Sequence, residues 1–425
     1  MDRKWLTMLA LVVSGEAIFA LPFVLARIFR PTLLEVFAID NTQLGVAFSV
    51  YGVVAMASYF PGGPLADRFS ARRMMIAALL ATAAGGAVYA TIPDTQTLSV
   101  LFGWWGMTTI LLFWAAMLRA TREWGGDDTQ GAAYGILDGG RGLIAALFAS
   151  ISVAVFSSLL GVDPSEATLA QKRSALQSII VLFAVATAGA AVLVALLVPD
   201  PEPSADTGDD DPGFEFADVL TVLKMPALWL QALIVVCAYV GYKGTDDLSL
   251  LTADALGYDD VEAAFIGTLA FWIRPVAAIG AGLIADRVGG SRVLTGCFAL
   301  LTVSNLVVAW SAGAGIPAVL LGAIVGTCAA VFALRGVYFA IFGEAKVPLE
   351  VTGTAIGVVS VVGYTPDVFF GPMMGYLLDS APGVPGHQQL FVVLAVFSAV
   401  GGATTLAFQW LVGQTSETST AGSSR

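Results

Sequence analysis

The sequence predicts an all-α polytopic membrane protein, with twelve transmembrane helices arranged as two pseudo-symmetric six-helix bundles. Composition, the length of its apolar runs and an internal repeat predict it. Of 425 residues, 57% are hydrophobic and only 12% are charged, about half the charged share of a soluble domain. The apolar runs reach the roughly 20 residues that carry a helix across about 30 Å of hydrocarbon. In lipid only helices or closed barrels satisfy their own backbone, and the alternation that marks barrel strands is absent from the sequence.

Taken in order, the spans fall at 5–29, 42–64, 73–93, 97–120, 131–160 and 175–198 for helices 1 to 6. Helices 7 to 12 fall at 224–248, 262–285, 291–312, 316–342, 352–378 and 389–413. Helix 1 follows Met-Asp-Arg-Lys without a small-residue cleavage pattern, so it reads as an uncleaved span rather than a signal peptide. Between helices 6 and 7, Asp200 to Asp218 holds eight carboxylates and no Lys or Arg, a solvated linker. The expected organisation is an N-terminal half over 1–198, an acidic cytoplasmic linker over 199–221, a C-terminal half over 222–413 and a disordered Ser/Thr-rich tail over 414–425.

Basic residues set the orientation. With the N-terminus in the cytoplasm, Arg3, Lys4, Arg68, Arg72, Arg73, Arg119, Arg122, Lys224, Arg287, Arg292 and Lys346 lie on or near that side. Arg27, Arg30, Lys172 and Arg173 lie on the other. This positive-inside bias places both termini in the cytoplasm of a bacterial-type inner membrane.

Several function classes drop out. The net charge of −12 owes much to the linker, and no basic face for nucleic acid exists. Cys237, Cys297 and Cys328 sit in apolar segments without metal-like spacing and read as structural thiols. The one histidine, His387, falls in a Gly/Pro-rich stretch, which argues against a histidine metal site or catalytic triad. No nucleophile–base pair is visible, so the expectation is a non-enzyme without cofactor, monomeric and embedded in the lipid bilayer.

The repeat is the strongest architectural signal. Gly63-Pro-Leu-Ala-Asp67-Arg68-Phe-Ser-Ala-Arg72-Arg73 follows helix 2, and Gly282-Leu-Ile-Ala-Asp286-Arg287-Val-Gly-Gly-Ser-Arg292 follows helix 8, in register at an offset of 219. Gly131-Ala-Ala-Tyr-Gly135 and Gly353-Thr-Ala-Ile-Gly357 echo each other at nearly the same shift. A duplicated six-helix unit follows. On physical grounds Gly63 admits a close helix neighbour, and Asp67 can face the positive end of a helix. Arg68, Arg72 and Arg73 can pair with carboxylates across the seam between halves.

This motif and its weaker copy resemble the signature loop of the major facilitator superfamily, over essentially residues 1–413. The resemblance implies that the loop latches the cytoplasmic side, with Asp67 at its key acidic position and Gly63, Arg68, Arg72, Arg73, Gly282, Asp286, Arg287 and Arg292 around it. Phe113 to Gly126, Leu137-Asp-Gly-Gly-Arg-Gly142 and Arg335-Gly-Val-Tyr338 resemble a bacterial group classed near nitrate/nitrite porters. The paired arginine of nitrate porters on helices 2 and 8 is missing, because Arg274 on helix 8 has Ala55 as its repeat partner. The organophosphate antiporters' arginines on helices 1 and 7 also fail, because Arg27 aligns with Asp246.

A charge at mid-bilayer costs about 2.5–3.5 kcal/mol on the insertion scale, so each such residue is a functional candidate. Asp138 and Arg141, at i and i+3, read as a structural ion pair. Lys243, Asp246 and Asp247 read as an exposed or gating cluster at the outer end of helix 7. Arg274 and Arg335 have no opposite charge within four residues and are candidate anion receptors. Tyr338 stands beside Arg335, and Tyr364 one turn before Asp367. Glu16 and Asp367 are candidate proton carriers, since a dry cavity raises a carboxylate pKa. The alternative for these acids is a fixed pairing with an arginine. The resulting expectation is proton-coupled or exchange-driven uptake of a small anionic solute by alternating access, with proton-antiport efflux as the alternative.

Overall fold

The computed structural model describes residues 3–126, 130–200, 222–345, 347 and 352–422. Lys346, most of the acidic linker and the last three residues lie outside them, as does the side chain of Asp67. Among the described residues there is no strand, and twelve helices are long and apolar enough to cross a membrane. They are α1 (Arg3–Ile28), α2 (Asn41–Ala66), α3 (Ala71–Tyr89), α4 (Thr95–Gly125), α5 (Ala133–Leu160) and α6 (Leu169–Leu197). The second set is α7 (Pro226–Leu256), α8 (Asp260–Val288), α9 (Gly290–Ala314), α10 (Pro317–Val337), α11 (Thr354–Ser380) and α12 (Val384–Gln414).

Local chemistry explains where these helices begin and end. Asp40 with Gln43, and Thr168 with Gln171, close capping boxes ahead of α2 and α6. Pro226 and Pro317 occupy first turns, where a missing N–H leaves nothing unsatisfied. Gly257 and Gly315, at φ +69° and +66°, end α7 and α9 in the left-handed conformation that glycine adopts without strain. Wide π-helical turns interrupt α1 at Ala20–Val24, around Pro22, and α4 at Met107–Trp114. In α11 the helix breaks at Tyr364–Thr365, just before Pro366, as proline disfavours helical geometry in the residue before it.

Three expectations change. The signature motif is helical rather than a loop: the second helix continues to Arg68 through Pro61 and Pro64, and only Phe69–Ser70 separates it from α3. His387 lies in the first turn of the last helix and is buried. That helix runs on to Gly422, past Gln414 where a disordered tail was expected, because a helix already nucleated gains a hydrogen bond with each residue added.

Packing divides the chain into two compact units. The first holds Met1–Asp206, Asp246–Trp272 and Asp367–Gly383. Alternation of the helices puts the end of α7, the start of α8 and the end of α11 at one membrane face, opposite the N-terminus, termed here the far face. In this unit Tyr89, Phe102 and Trp105 meet edge to face with centroids 5.2–6.4 Å apart. α2 and α11 touch backbone to backbone: a Cβ at Gly45 would fall against the Gly371 carbonyl. One at Gly52 would lie 2.5 Å from the Asp367 carbonyl oxygen, and one at Gly375 2.5 Å from that of Asn41. Small residues permit this approach in a membrane, where packing itself drives helix association.

The second unit holds Thr207–Thr245, Ile273–Pro366 and Val384–Arg425. Its core gathers Phe298, Leu301, Val331 and Phe408 from α9, α10 and α12 around Cys237 of α7. Gly401 leaves room for the Phe298 ring. Cys237 and Cys328 are buried and Cys297 half-buried.

Candidate functional site

In the second unit, α7, α10 and α11 build a tyrosine cage around Arg335. Arg335 stands two residues before the end of α10, with Tyr338 one turn on. From α7, Tyr242 lies flat against the guanidinium, its ring centroid 3.9 Å from Cζ, and Tyr239 stands 5.7 Å away. Cation–π contacts of this kind are worth up to about 2 kcal/mol once desolvated. From the break in α11, Tyr364 packs edge-on to Tyr239 at 4.9 Å, and its hydroxyl meets that of Tyr338 at 3.3 Å. The Arg335 Nη1 is buried with no hydrogen-bond partner among the described residues. An N–H left in that state costs about 1–3 kcal/mol, more on a charged group.

Tyr338 stands one turn from Arg335, while Tyr364, read in the sequence as a neighbour of Asp367, joins the cage through Tyr239 and Tyr338, and Tyr239 and Tyr242 were missed. Their signal is the spacing Tyr239–Tyr242 on α7, two rings one turn apart. Gln231 was missed as well: it is fully buried, its Nε2 donates to the Tyr338 carbonyl at 3.1 Å, and its Oε1 has no partner. Arg274 is half-buried, next to Pro275 in α8.

The charges of α1 and α5 meet in the first unit. Arg141 donates from Nε to the Gly15 carbonyl at 3.0 Å and lies 3.5 Å from Glu16 and 4.0 Å from Asp138. Phe19 and Trp114 flank its guanidinium, each 5.6 Å from Cζ. The pairing expected with Asp138 is therefore the longer of two. Glu16, 5% exposed, is the nearer carboxylate, and Asp138 is 63% exposed. Asp367 opens the α11 segment that runs against α2, where Ser49 donates to the Val368 carbonyl at 2.6 Å.

At the far face the first unit carries a charge network that the sequence did not suggest. Arg27 grips Asp246 through Nη2 at 2.5 Å and Nε at 2.6 Å, beside the Phe271 ring. Ser249 donates to the Arg27 carbonyl at 3.0 Å. Lys172 bridges Glu35 at 2.8 Å and Asp260 at 2.7 Å, and Thr32 donates to Asp260 at 2.6 Å. Asp379 accepts from the backbone and side chains of Asn41 and Thr42, and Asn41 accepts in turn from Arg30. Burial pulls the Arg30 guanidinium below its ordinary pKa, against the pull of nearby carboxylates. The Lys243–Asp246–Asp247 cluster is thus not exposed: all three are buried, because α7 turns them into the helix bundle. The repeat offset of 219 had aligned Arg27 with Asp246 in the sequence without marking the two as an ion pair.

Around the signature motif the arginines work locally. Arg72 donates to the Ala195 carbonyl at the end of α6, and Arg73 pairs with Asp200 at 3.2 Å. Ser70, which caps α3, donates to Asp200. That bond and the two arginines hold the Asp200 carboxyl below the ordinary carboxylate range. The repeat copy is capped similarly, with Glu344 accepting from the Ser291 N–H at 3.0 Å. Arg68, Asp286, Arg287 and Arg292 are exposed, and Arg292 donates to the Val288 carbonyl at 3.3 Å. The close-approach role expected of Gly63 is corrected here, since a Cβ on Gly63 or Gly282 would meet nothing within 4 Å.

Comparison with known proteins follows this geometry. The profile of the Major Facilitator Superfamily matches residues 7–366. The inner membrane protein YqcE of Escherichia coli K12 is 27% identical over 419 residues, 96% of this chain and 95% of the relative. The inner membrane protein YihN of the same organism is 25% identical over 417 residues, 95% of each chain. Among solved structures, a bacterial homolog of the human lysosomal transporter Spinster, inward-facing and unoccupied, superposes with a TM-score of 0.74 at 14% identity, covering 96% of this chain and 97% of that one. A mutant of the nucleoside transporter NupG gives 0.73 at 13% identity, covering 96% and 100%.

Proposed function

Because the chain belongs to the major facilitator superfamily, a fold that supports secondary transport by alternating access, we propose that it takes up a small anionic solute, with Arg335 as the anion receptor. The observation that carries this reading is the Arg335 Nη1, buried among four tyrosines with no hydrogen-bond partner. A permanent cation without a carboxylate partner among the described residues draws an anion to the site, and the planar guanidinium suits carboxylate-like oxygens. Tyr239 and Tyr242 hold the cation by their ring faces. Arg274, on α8, is the second candidate receptor.

Uptake is driven by protons or by exchange, with Glu16 and Asp367 as the proton carriers. The closeness of Glu16 to Arg141, at 3.5 Å, supports its part, because protonation would release that arginine. The signature motif acts as the N-terminal-face latch through Asp67 and its neighbours. The far-face network of Arg27, Asp246, Lys172, Asp260 and Asp379 is its counterpart, holding the opposite face shut. Both termini lie in the cytoplasm, following the basic residues.

The test is uptake into proteoliposomes. Arg335→Ala abolishes accumulation of the acidic substrate, and Glu16→Gln or Asp367→Asn removes its sensitivity to a protonophore. Should Arg335→Ala and Arg274→Ala both leave uptake of every acidic solute intact, the anion reading is wrong.

A further inference from the structure

The charge balance of the Arg335 cage goes beyond anion binding to the kind of anion. We infer that the cage selects a solute bearing one negative charge, a carboxylate or sulfonate on a hydroxylated skeleton, and discriminates against dianions such as phosphate monoesters. This deepens the proposed anion-receptor role and rests on it.

The side chains packed about Arg335 are Tyr239, Tyr242, Tyr338 and Tyr364, all neutral at physiological pH, so the cage itself carries the charge of one cation. A monoanion neutralises it. A dianion leaves one charge uncompensated beside aromatic walls, and burying an unpaired charge is costly even after relaxation. Proteins that hold dianionic phosphates supply more than one cation or a row of backbone donors. Arg335 instead lies near the C-terminal end of α10, where the helix dipole is negative and adds to the penalty on a second charge.

Shape and hydrogen bonding supply the second half. Tyr242 covers one face of the guanidinium at 3.9 Å, so an anion meets the Nη1 edge rather than that face. The phenolic hydroxyls of the cage both donate and accept. The Tyr338–Tyr364 contact of 3.3 Å is long for a hydroxyl pair and can yield to a solute hydroxyl. The unpartnered Gln231 Oε1, on a side chain tied to the Tyr338 carbonyl, is a further acceptor. An apolar anion offers nothing to the Gln231 Oε1, whereas a polyol acid can donate to it.

The experiment measures affinity of the purified full-length protein for matched pairs, gluconate against glucose 6-phosphate and glycerate against glycerol 3-phosphate, at pH 7.5 and 5.5. Wild type is expected to prefer the carboxylate at least tenfold at pH 7.5. A phosphate monoester has its second pKa near 6, so its monoanion fraction, and with it the apparent affinity, rises about 25-fold at pH 5.5. The carboxylates stay ionised and serve as the control for titration of the protein itself. Equal affinity for both members of a pair at pH 7.5, lost in Arg335→Gln, overturns the single-charge inference and leaves the anion receptor standing. Binding that Arg335→Gln and Arg335→Lys both retain, or no binding of any of the four, overturns the receptor and this inference with it. The wild-type comparison decides the charge question without either variant.

Discussion

Replacing Asp246 by Asn tests the far-face network at its most buried point. Arg27 and Asp246 are 3% and 4% exposed in their side chains and 2.5 Å apart. Removing one partner of such a pair strands the other charge and costs about 3–5 kcal/mol. If the pair forms only while the far face is shut, the whole penalty falls on that state. At about 1.36 kcal/mol per tenfold, the open population rises on the order of 10²–10⁴-fold until it saturates. The readout is maleimide labelling of a cysteine placed at Ser249, which is buried and donates to the Arg27 carbonyl, in a background lacking Cys237, Cys297 and Cys328. Asp246→Asn should label at least a hundredfold faster than the parent. Because the two residues occupy equivalent places in the repeat, the exchange Arg27→Asp with Asp246→Arg should restore slow labelling. The restoration stops short by about 0.5–1 kcal/mol, as Phe271 faces Arg27 and its repeat equivalent is Gly52. Equal labelling in parent and Asp246→Asn would refute the gating role of this pair.

Gly45→Ala and Gly375→Ala should each weaken the α2–α11 contact by about 1–3 kcal/mol, the range of overpacking penalties. Each new Cβ would meet backbone that cannot swing aside, so the same labelling assay should report opening, while Gly63→Ala, in open space, should change nothing. Asp200, held below the ordinary carboxylate range by Ser70 and the nearby arginines, stabilises the folded form above about pH 4 and loses that effect as pH falls through its lowered pKa. The melting temperature of Asp200→Asn should accordingly lie below wild type at pH 7 and converge with it in acid, and added salt should shrink the gap, since the pair is exposed. Arg141→Gln should destabilise the protein at neutral pH by leaving Glu16 buried without its arginine, and Glu16→Gln added to it should recover much of the loss in a denaturation series.

The number and order of the spans, their duplication and the standing of Arg335 as a candidate were legible in the sequence, because each is a local or periodic property. Length and apolarity make a span, an offset of 219 makes a repeat, and Arg335 with Tyr338 shares a helix face by spacing alone. The partners of the charges were not legible. Each residue turns a helix face by about 100°, so only the packed rotation of α7 decides that Tyr239 and Tyr242 wall the cation while Asp246 reaches Arg27. The same holds for Arg73, which finds Asp200, and for Glu16, which finds Arg141 ahead of Asp138. The sequence alone determined which charges sit among apolar residues and so need neutralising. The tertiary structure decided which were neutralised and which kept an unmet hydrogen bond, since pairing needs a few ångströms of proximity between segments that can lie hundreds of residues apart.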